Sequence, residues 1–175
     1  MSNQVLLWGT LIVPWLSLLF MKKENIKRFM PTGILAAFLA IVVCDIGVGN
    51  SWWYFRETTY PFALLSSYVY GLFPIVPMWI LNFTYGRFWL FVVVEVVFNT
   101  IFGFFILTWF GSRGIIDYNA GLIVLIAATL ISFIMYGFQM WQETSVANNF
   151  SAKLHPVAAK PLPEEKEPEE DSQLK

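Results

Sequence analysis

Long apolar stretches alternate with short polar ones along most of this chain. About 20 helical residues, each rising about 1.5 Å, are needed to cross a bilayer core of roughly 30 Å. Five stretches meet this requirement, at about residues 5–21, 31–50, 61–83, 88–109 and 121–141. The pattern therefore predicts an all-α fold, an integral membrane bundle of five transmembrane helices within residues 1–143.

The C-terminal residues 144–175 have a different character. Their last part, KPLPEEKEPEED at 160–171, is rich in Pro and Glu and has almost nothing to bury. Such a segment cannot offset the entropy lost on ordering. We therefore expect 144–175 to be a disordered, Pro/Glu-rich cytoplasmic tail, which either solubilises the protein or docks a cytoplasmic partner.

The basic residues fall unevenly on the two sides of the predicted bundle. Four lie between the first and second spans, Arg87 lies between the third and fourth, and Lys153 and Lys160 lie in the tail, against Arg56 and Arg113 on the other side. Because Lys and Arg are retained on the cytoplasmic side, we expect the N-terminus outside and the C-terminus in the cytoplasm.

Composition and charge exclude several classes of protein. Hydrophobic residues make up 57% of the chain and charged residues only 13%, whereas a soluble domain carries about 25% charged residues. A net charge of −1 without a basic patch argues against nucleic-acid binding. Cys44 and His155 are single residues of their type and cannot build a metal site. We expect the lipid bilayer as the surroundings, no cofactor, no metal and no catalytic residue.

Two acidic residues lie inside predicted spans, Asp45 in the second and Glu95 in the fourth. A charge near the bilayer centre costs at least about 2.5–3.5 kcal/mol on insertion scales, so such residues are candidates for function. Helical rise places Glu95 roughly 5 Å towards the cytoplasm and Asp45 roughly 8 Å towards the outside. We therefore expect no paired-carboxylate site.

The expected partners of Glu95 are Asn99, four residues further on the same helical face, and Tyr136 at a similar depth in the fifth span. Two interpretations of Glu95 stay open. A carboxyl group hydrogen-bonded to Asn99 ties helices together, and an ionisable group in the membrane serves a substrate or a proton. For Asp45, the expected neighbours are Ser67 and Tyr68 at the outer end of the third span and Arg56 in the outer loop, and the same two interpretations apply.

The second span also carries small residues at spacings of four, three, four and three. They are Gly33, Ala37, Ala40, Cys44 and Gly47. Small side chains on one face let another helix approach closely, so we expect a helix-packing seam there, with pore lining as the alternative.

Two short sequences point to a family. The basic sequence KKENIKRFMP at 22–31 leads into an apolar span, and WWY follows at 52–54. This arrangement resembles a family of small multi-pass membrane proteins of endospore-forming Gram-positive bacteria (Firmicutes), which has no assigned activity. The resemblance implies a bacterial cytoplasmic membrane and transfers no functional residues.

These observations favour a non-catalytic multi-pass protein of the bacterial plasma membrane, within a membrane complex or a homo-oligomer. The first alternative is a small transporter or channel subunit that uses Glu95 as its intramembrane ionisable group. The second alternative is a membrane-embedded enzyme that acts on a lipid.

Overall fold

A computed structural model describes residues 2–62, 67–118 and 121–158, with side chains described as far as residue 145. The described chain is mostly helical. Its helices are α1 (Asn3–Ser17), α2 (Lys23–Gly49), α3 (Ser67–Thr84), α4 (Phe88–Ile101), α5 (Leu107–Ser112) and α6 (Gly121–Ala158). A 3₁₀ turn (Leu18–Phe20) extends α1, and a π-helical segment (Phe102–Ile106) joins α4 to α5. Two three-residue strands, β1 (Trp53–Phe55) and β2 (Ile116–Tyr118), form an antiparallel ribbon.

Four of the described helical stretches are long and apolar enough to cross a membrane. They are Asn3–Phe20, Lys23–Gly49, Phe88–Ser112 and Gly121–Ser145. Helix α3 is not among these four, and residues 63–66, which belong to the predicted third span, lie outside the described residues. The chain is thus a membrane-embedded helical protein, as the apolar pattern predicts.

The two ends of α3 contact different parts of the molecule. At its start, Ser67 Oγ donates a hydrogen bond to Leu7 O at 2.7 Å, near the N-terminus. Near its end, Asn82 Oδ1 accepts a hydrogen bond of 2.6 Å from Asn25 Nδ2 in the basic first part of α2. Eighteen residues of helix measure about 27 Å, close to the thickness of a bilayer core.

The N-terminus and two connections gather at one end of the bundle, which we call the ribbon end. Asn3 Nδ2 and Gln4 Nε2 donate to the Glu57 carboxylate at 2.7 and 2.8 Å. The Arg56 guanidinium pairs with Asp117 across the ribbon, with a 2.6 Å hydrogen bond from Nε. The opposite, basic end holds Arg28, which lies 4.8 Å over the Tyr85 ring.

Prolines inside α1 and α3 leave backbone carbonyl groups without a helical donor. These carbonyl groups take part in the packing of α1 on α3. Pro74 has no N–H to donate to Tyr70 O, and Trp15 Nε1 of α1 donates to this oxygen at 3.2 Å. Pro14 likewise leaves Thr10 O without its helical donor. A Cβ on Gly71 would lie 2.0 Å from Thr10 O, so only glycine permits this close approach.

Two helix boundaries differ from the expectation. Helix α2 begins at Lys23, eight residues before the predicted start at 31, because its basic first turns are polar yet good helix formers. Helix α6 continues to Ala158 instead of ending near 141, since residues 141–155 contain no Gly or Pro to interrupt it. The structure thus assigns helix to 144–158 of the predicted tail, and the expectation that the tail is disordered stays a prediction. Residues 159–175 lie outside the described residues.

Candidate functional site

An elongated cavity of about 90 Å³ lies inside the bundle, between α2, α3, the π-containing helix and α6. Its walls are almost entirely apolar. Three polar side chains stand together on its wall, Glu95 and Asn99 from α4 and Ser132 from α6. The lining residues of α2 extend from Ala36 to Cys44, eight residues or about 12 Å along the helix axis.

Glu95 is the ionisable group of this cluster and is only 5% exposed. Its Oε2 accepts a hydrogen bond of 2.8 Å from Ser132 Oγ and a long one of 3.5 Å from Asn99 Nδ2. Its Oε1 has no hydrogen-bond partner within the part of the chain that the structure describes. One carboxyl oxygen thus ties α4 to α6, and the other is free to bind something else.

Ser132 is the partner that the sequence analysis missed. It stands one helical turn before Tyr136, on the same face of α6, and depth alone did not distinguish the two. Ser132 Oγ also lies 2.9 Å from Ala128 O. Because a hydroxyl group has one hydrogen, Ser132 can donate to Glu95 or to its own helix backbone, but not fully to both.

Tyr136, the other predicted partner of Glu95, lies in an aromatic cluster towards the basic end. Its ring centroid is 4.8 Å from that of Phe91, 5.2 Å from Phe88 and 5.8 Å from Tyr85. Phe91 is completely buried. These packed rings separate Glu95 from the basic end of the bundle.

At the ribbon end the cavity is lined by Trp53 and Tyr118, which pair directly across the two strands. Trp53 Nε1 and Tyr118 Oη are buried and have no hydrogen-bond partner among the described residues. Burial raises the pKa of Tyr118, so its phenol keeps its proton at neutral pH and remains a donor. The Trp53 indole packs onto Gly47, where a Cβ would lie 1.9 Å from its ring.

A second, more polar pocket of about 480 Å³ lies on the other side of this pair. Ser51, Thr108 and Asp117 contribute polar groups to it. The pocket and the cavity have four lining residues in common, Trp53, Leu107, Ile116 and Tyr118. A layer one side chain thick therefore separates the polar pocket from the cavity that contains Glu95.

The π-helical segment explains how one helix lines both spaces. Glu95, Asn99 and Phe102 line the cavity at the spacings of an α-helix, and the next lining residue is Leu107, five positions later. A π-helical turn has i→i+5 hydrogen bonds, and such turns occur frequently at functional sites. The wider turn keeps Leu107 on the cavity side of the helix.

The structure places Asp45 away from this site. It lies on an exposed face of α2 with Ile34, Phe38 and Ile46, whereas Glu95 is buried. Ser67, Tyr68 and Arg56, its expected neighbours, contact Leu7, an aromatic cluster and Asp117 instead. The two carboxyl groups form no pair.

The small residues of α2 lie mostly on its buried side. Gly33, Ala40, Cys44 and Gly47 are buried, and a Cβ on Gly33 would lie 2.6 Å from the Pro74 carbonyl oxygen. Ala37 is only partly buried, and Ala36 takes its place at 2% exposure. Ala40 and Cys44 also line the cavity, so packing and cavity lining occur on the same face.

Among the described residues no three His, Cys, Asp or Glu side chains lie together as a metal site requires. Comparison with protein-family models, with curated proteins and with solved structures finds no match to this chain. The functional interpretation therefore depends on the geometry of the Glu95 site.

Proposed function

We propose that this protein is a small transporter or channel subunit in which Glu95 is the intramembrane ionisable group. The observation that carries the proposal is Oε1 of Glu95, a buried carboxyl oxygen without a partner among the described residues, on a cavity next to a polar pocket. Buried polar atoms without a partner are few in native proteins and require an explanation.

A purely structural role accounts for only one of the two carboxyl oxygens of Glu95. The tie between α4 and α6 needs one acceptor oxygen, which Oε2 supplies to Ser132. Leaving the second oxygen unpaired costs about 1–3 kcal/mol when it is buried. Binding of a proton or a substrate to this oxygen during the working cycle offsets this cost.

We propose five membrane spans with the N-terminus outside. Helix α3 completes this set of five as the third span in chain order, because its two ends contact the ribbon end and the basic end. The cluster of Lys22, Lys23, Lys27 and Arg28 at the basic end favours the cytoplasmic side for that end. The ribbon end and its polar pocket then face outwards, and Glu95 is reached from the outside.

We also propose the bacterial plasma membrane as the location. The family resemblance of residues 22–31 and 52–54 is the support for this part of the proposal.

Proton uptake by liposomes that contain the purified protein tests the function. A pH-sensitive dye inside the vesicles reports an imposed gradient. We expect the wild-type protein to speed the loss of the gradient and Glu95→Gln to reduce the rate to that of empty vesicles. Asp45→Asn is the matched control, since it removes the other carboxyl group of the five predicted spans. Equal rates for wild type and Glu95→Gln would contradict the proposal.

The exposed position of Asp45 favours a second candidate function, that of a non-catalytic component of a membrane complex or homo-oligomer. An ionisable residue in a span rarely faces lipid, so a neighbouring subunit is expected against this face of α2. The test is purification in mild detergent. A stoichiometric partner or a second copy that Asp45→Asn releases supports this function, and a monomer that is unchanged by the substitution contradicts it.

A further inference from the structure

We infer that the cavity binds a small organic cation, a protonated amine, whose positive charge lies against Glu95. This inference rests on the proposed function and names a substrate class for the same site.

The cavity has no countercharge for Glu95 among the described residues that line it. No Lys, Arg or His among the described residues lines the cavity, and the other titratable side chains on its wall are Cys44, Tyr68 and Tyr118. Thiol and phenol groups are uncharged at neutral pH. An ionised Glu95 therefore finds no positive partner on the cavity wall, and a cationic ligand supplies one.

The wall of the cavity is rich in aromatic side chains. Six aromatic residues line the cavity, and they are Trp53, Tyr68, Phe73, Phe98, Phe102 and Tyr118. Phe102 is central to this group, with ring centroids 5.5 Å from Phe73 and 5.9 Å from Tyr68. Aromatic rings attract cations, and rings around a site are the usual means of binding quaternary ammonium groups.

The same wall is unsuited to a metal ion. Calcium takes 6–8 oxygen ligands and magnesium demands six in octahedral geometry. Among the described lining residues, those with side-chain oxygen atoms other than phenols are Glu95, Asn99 and Ser132. An organic cation needs one carboxylate and apolar contacts, which is what the cavity supplies.

The volume limits the ligand to a compact one. The cavity measures about 90 Å³, less than the ~150 Å³ of a cavity that binds benzene. Because this cavity is smaller than the one that binds benzene, the ligand must have fewer non-hydrogen atoms than benzene. An ammonium group with one or two methyl groups meets this limit.

Binding is coupled to the release of a proton when the empty Glu95 is neutral. The O–H bond of the carboxyl group breaks, the proton leaves to water through the polar pocket, and the carboxylate stays paired with the ligand cation. Over the pH range in which empty Glu95 is protonated, the apparent affinity falls about tenfold for each unit by which pH is lowered.

The test is equilibrium binding of radiolabelled methylammonium to the full chain, purified in mild detergent. Methylammonium is a small protonated amine, and methanol, in which a hydroxyl group replaces the ammonium group, is its uncharged isostere. We expect saturable binding of one methylammonium per chain, weakened at least tenfold by Glu95→Gln and unchanged by Asp45→Asn. We expect methanol to compete at least tenfold less effectively than unlabelled methylammonium, and binding to weaken as pH falls.

Any one of three results overturns the inference. The first is that folded wild-type protein shows no saturable binding, as expected for a cavity that holds only water. The other two are equal affinity in Glu95→Gln and equal competition by the isostere. If Glu95→Gln does not fold, the inference is tested instead by the binding affinity of Glu95→Asp and by the pH dependence of binding to the wild-type protein. Glu95-dependent proton uptake without methylammonium binding overturns this inference alone. Methylammonium binding without proton uptake supports it and contradicts the proposed function.

Discussion

The pair of substitutions Glu95→Gln and Glu95→Leu separates an ionisable site from a helix tie. Gln keeps an acceptor oxygen for the 2.8 Å bond from Ser132 and replaces the unpartnered Oε1 with an amide nitrogen. Because the bond from Ser132 is kept and one polar atom without a partner replaces another, we expect stability within about 1 kcal/mol of wild type.

Leu changes two contributions with opposite signs. It removes the bond to Ser132, which is worth about 0.6 kcal/mol on average and at most about 1.7 kcal/mol between membrane helices. It also removes the buried unpartnered oxygen, a gain of about 1–3 kcal/mol. Ser132 keeps an acceptor at Ala128 O, 2.9 Å away. We therefore expect Glu95→Leu to be as stable as wild type or more stable by about 1 kcal/mol.

Thermal unfolding followed by tryptophan fluorescence in one detergent measures these differences. For a chain of this size, 1 kcal/mol corresponds to roughly 2–4 °C in Tm. Ser132→Ala is the control, because it removes the same bond but leaves the carboxyl group buried, and it should be the least stable of the three. A Tm for Glu95→Leu that is about 6 °C or more below wild type would refute the reasoning, since the tie would then be the main role of Glu95.

Three further predictions concern topology, packing and the C-terminus. In a cysteine-free background, Ser112→Cys should react with an impermeant thiol reagent in intact cells and Lys23→Cys should not, because basic residues stay cytoplasmic; the reverse pattern would overturn the orientation. Gly47→Ala should lower stability by about 1–3 kcal/mol through overpacking against Trp53, measured by thermal unfolding. Gly49→Ala, which meets no atom within 4 Å, should not destabilise, and equal losses would contradict the packing account. Removal of 154–175 should leave Tm within about 2 °C, because this Pro/Glu-rich segment has little apolar surface to bury; a larger fall would show that it packs on the protein.

The parts of the fold that were predictable from sequence are those with long apolar runs. Their length requires membrane-crossing helices, and the four-residue spacing of Glu95 and Asn99 was enough to expect their contact, which the structure shows at 3.5 Å. Helix ends were less predictable. Charged residues such as Lys23 mark the edge of the membrane, but they do not end a helix.

The remaining parts of the site arise from tertiary packing, which leaves a weak trace in sequence. The strands of Trp53 and Tyr118 have three residues each, too few for an alternating pattern to appear. The π-helical turn that begins at Phe102 moves the next cavity-lining residue one position further along the chain. Ideal α-helical spacing does not predict this shift. Ser132 was equally hidden, because Ser residues of apolar helices often bond only to their own backbone.

Access to Glu95 from the ribbon side is the central claim, and a thiol reagent that carries a quaternary ammonium group tests it most directly. Ala128 lines the cavity next to Ser132, and Leu130, 58% exposed on the outer face of α6, is the matched control. With Cys44 replaced by Ala, we expect Ala128→Cys to react from outside intact cells, methylammonium to slow the reaction, and Leu130→Cys to remain unmodified. If Ala128→Cys is unreactive, or reacts only after the cells are opened, the claim is contradicted.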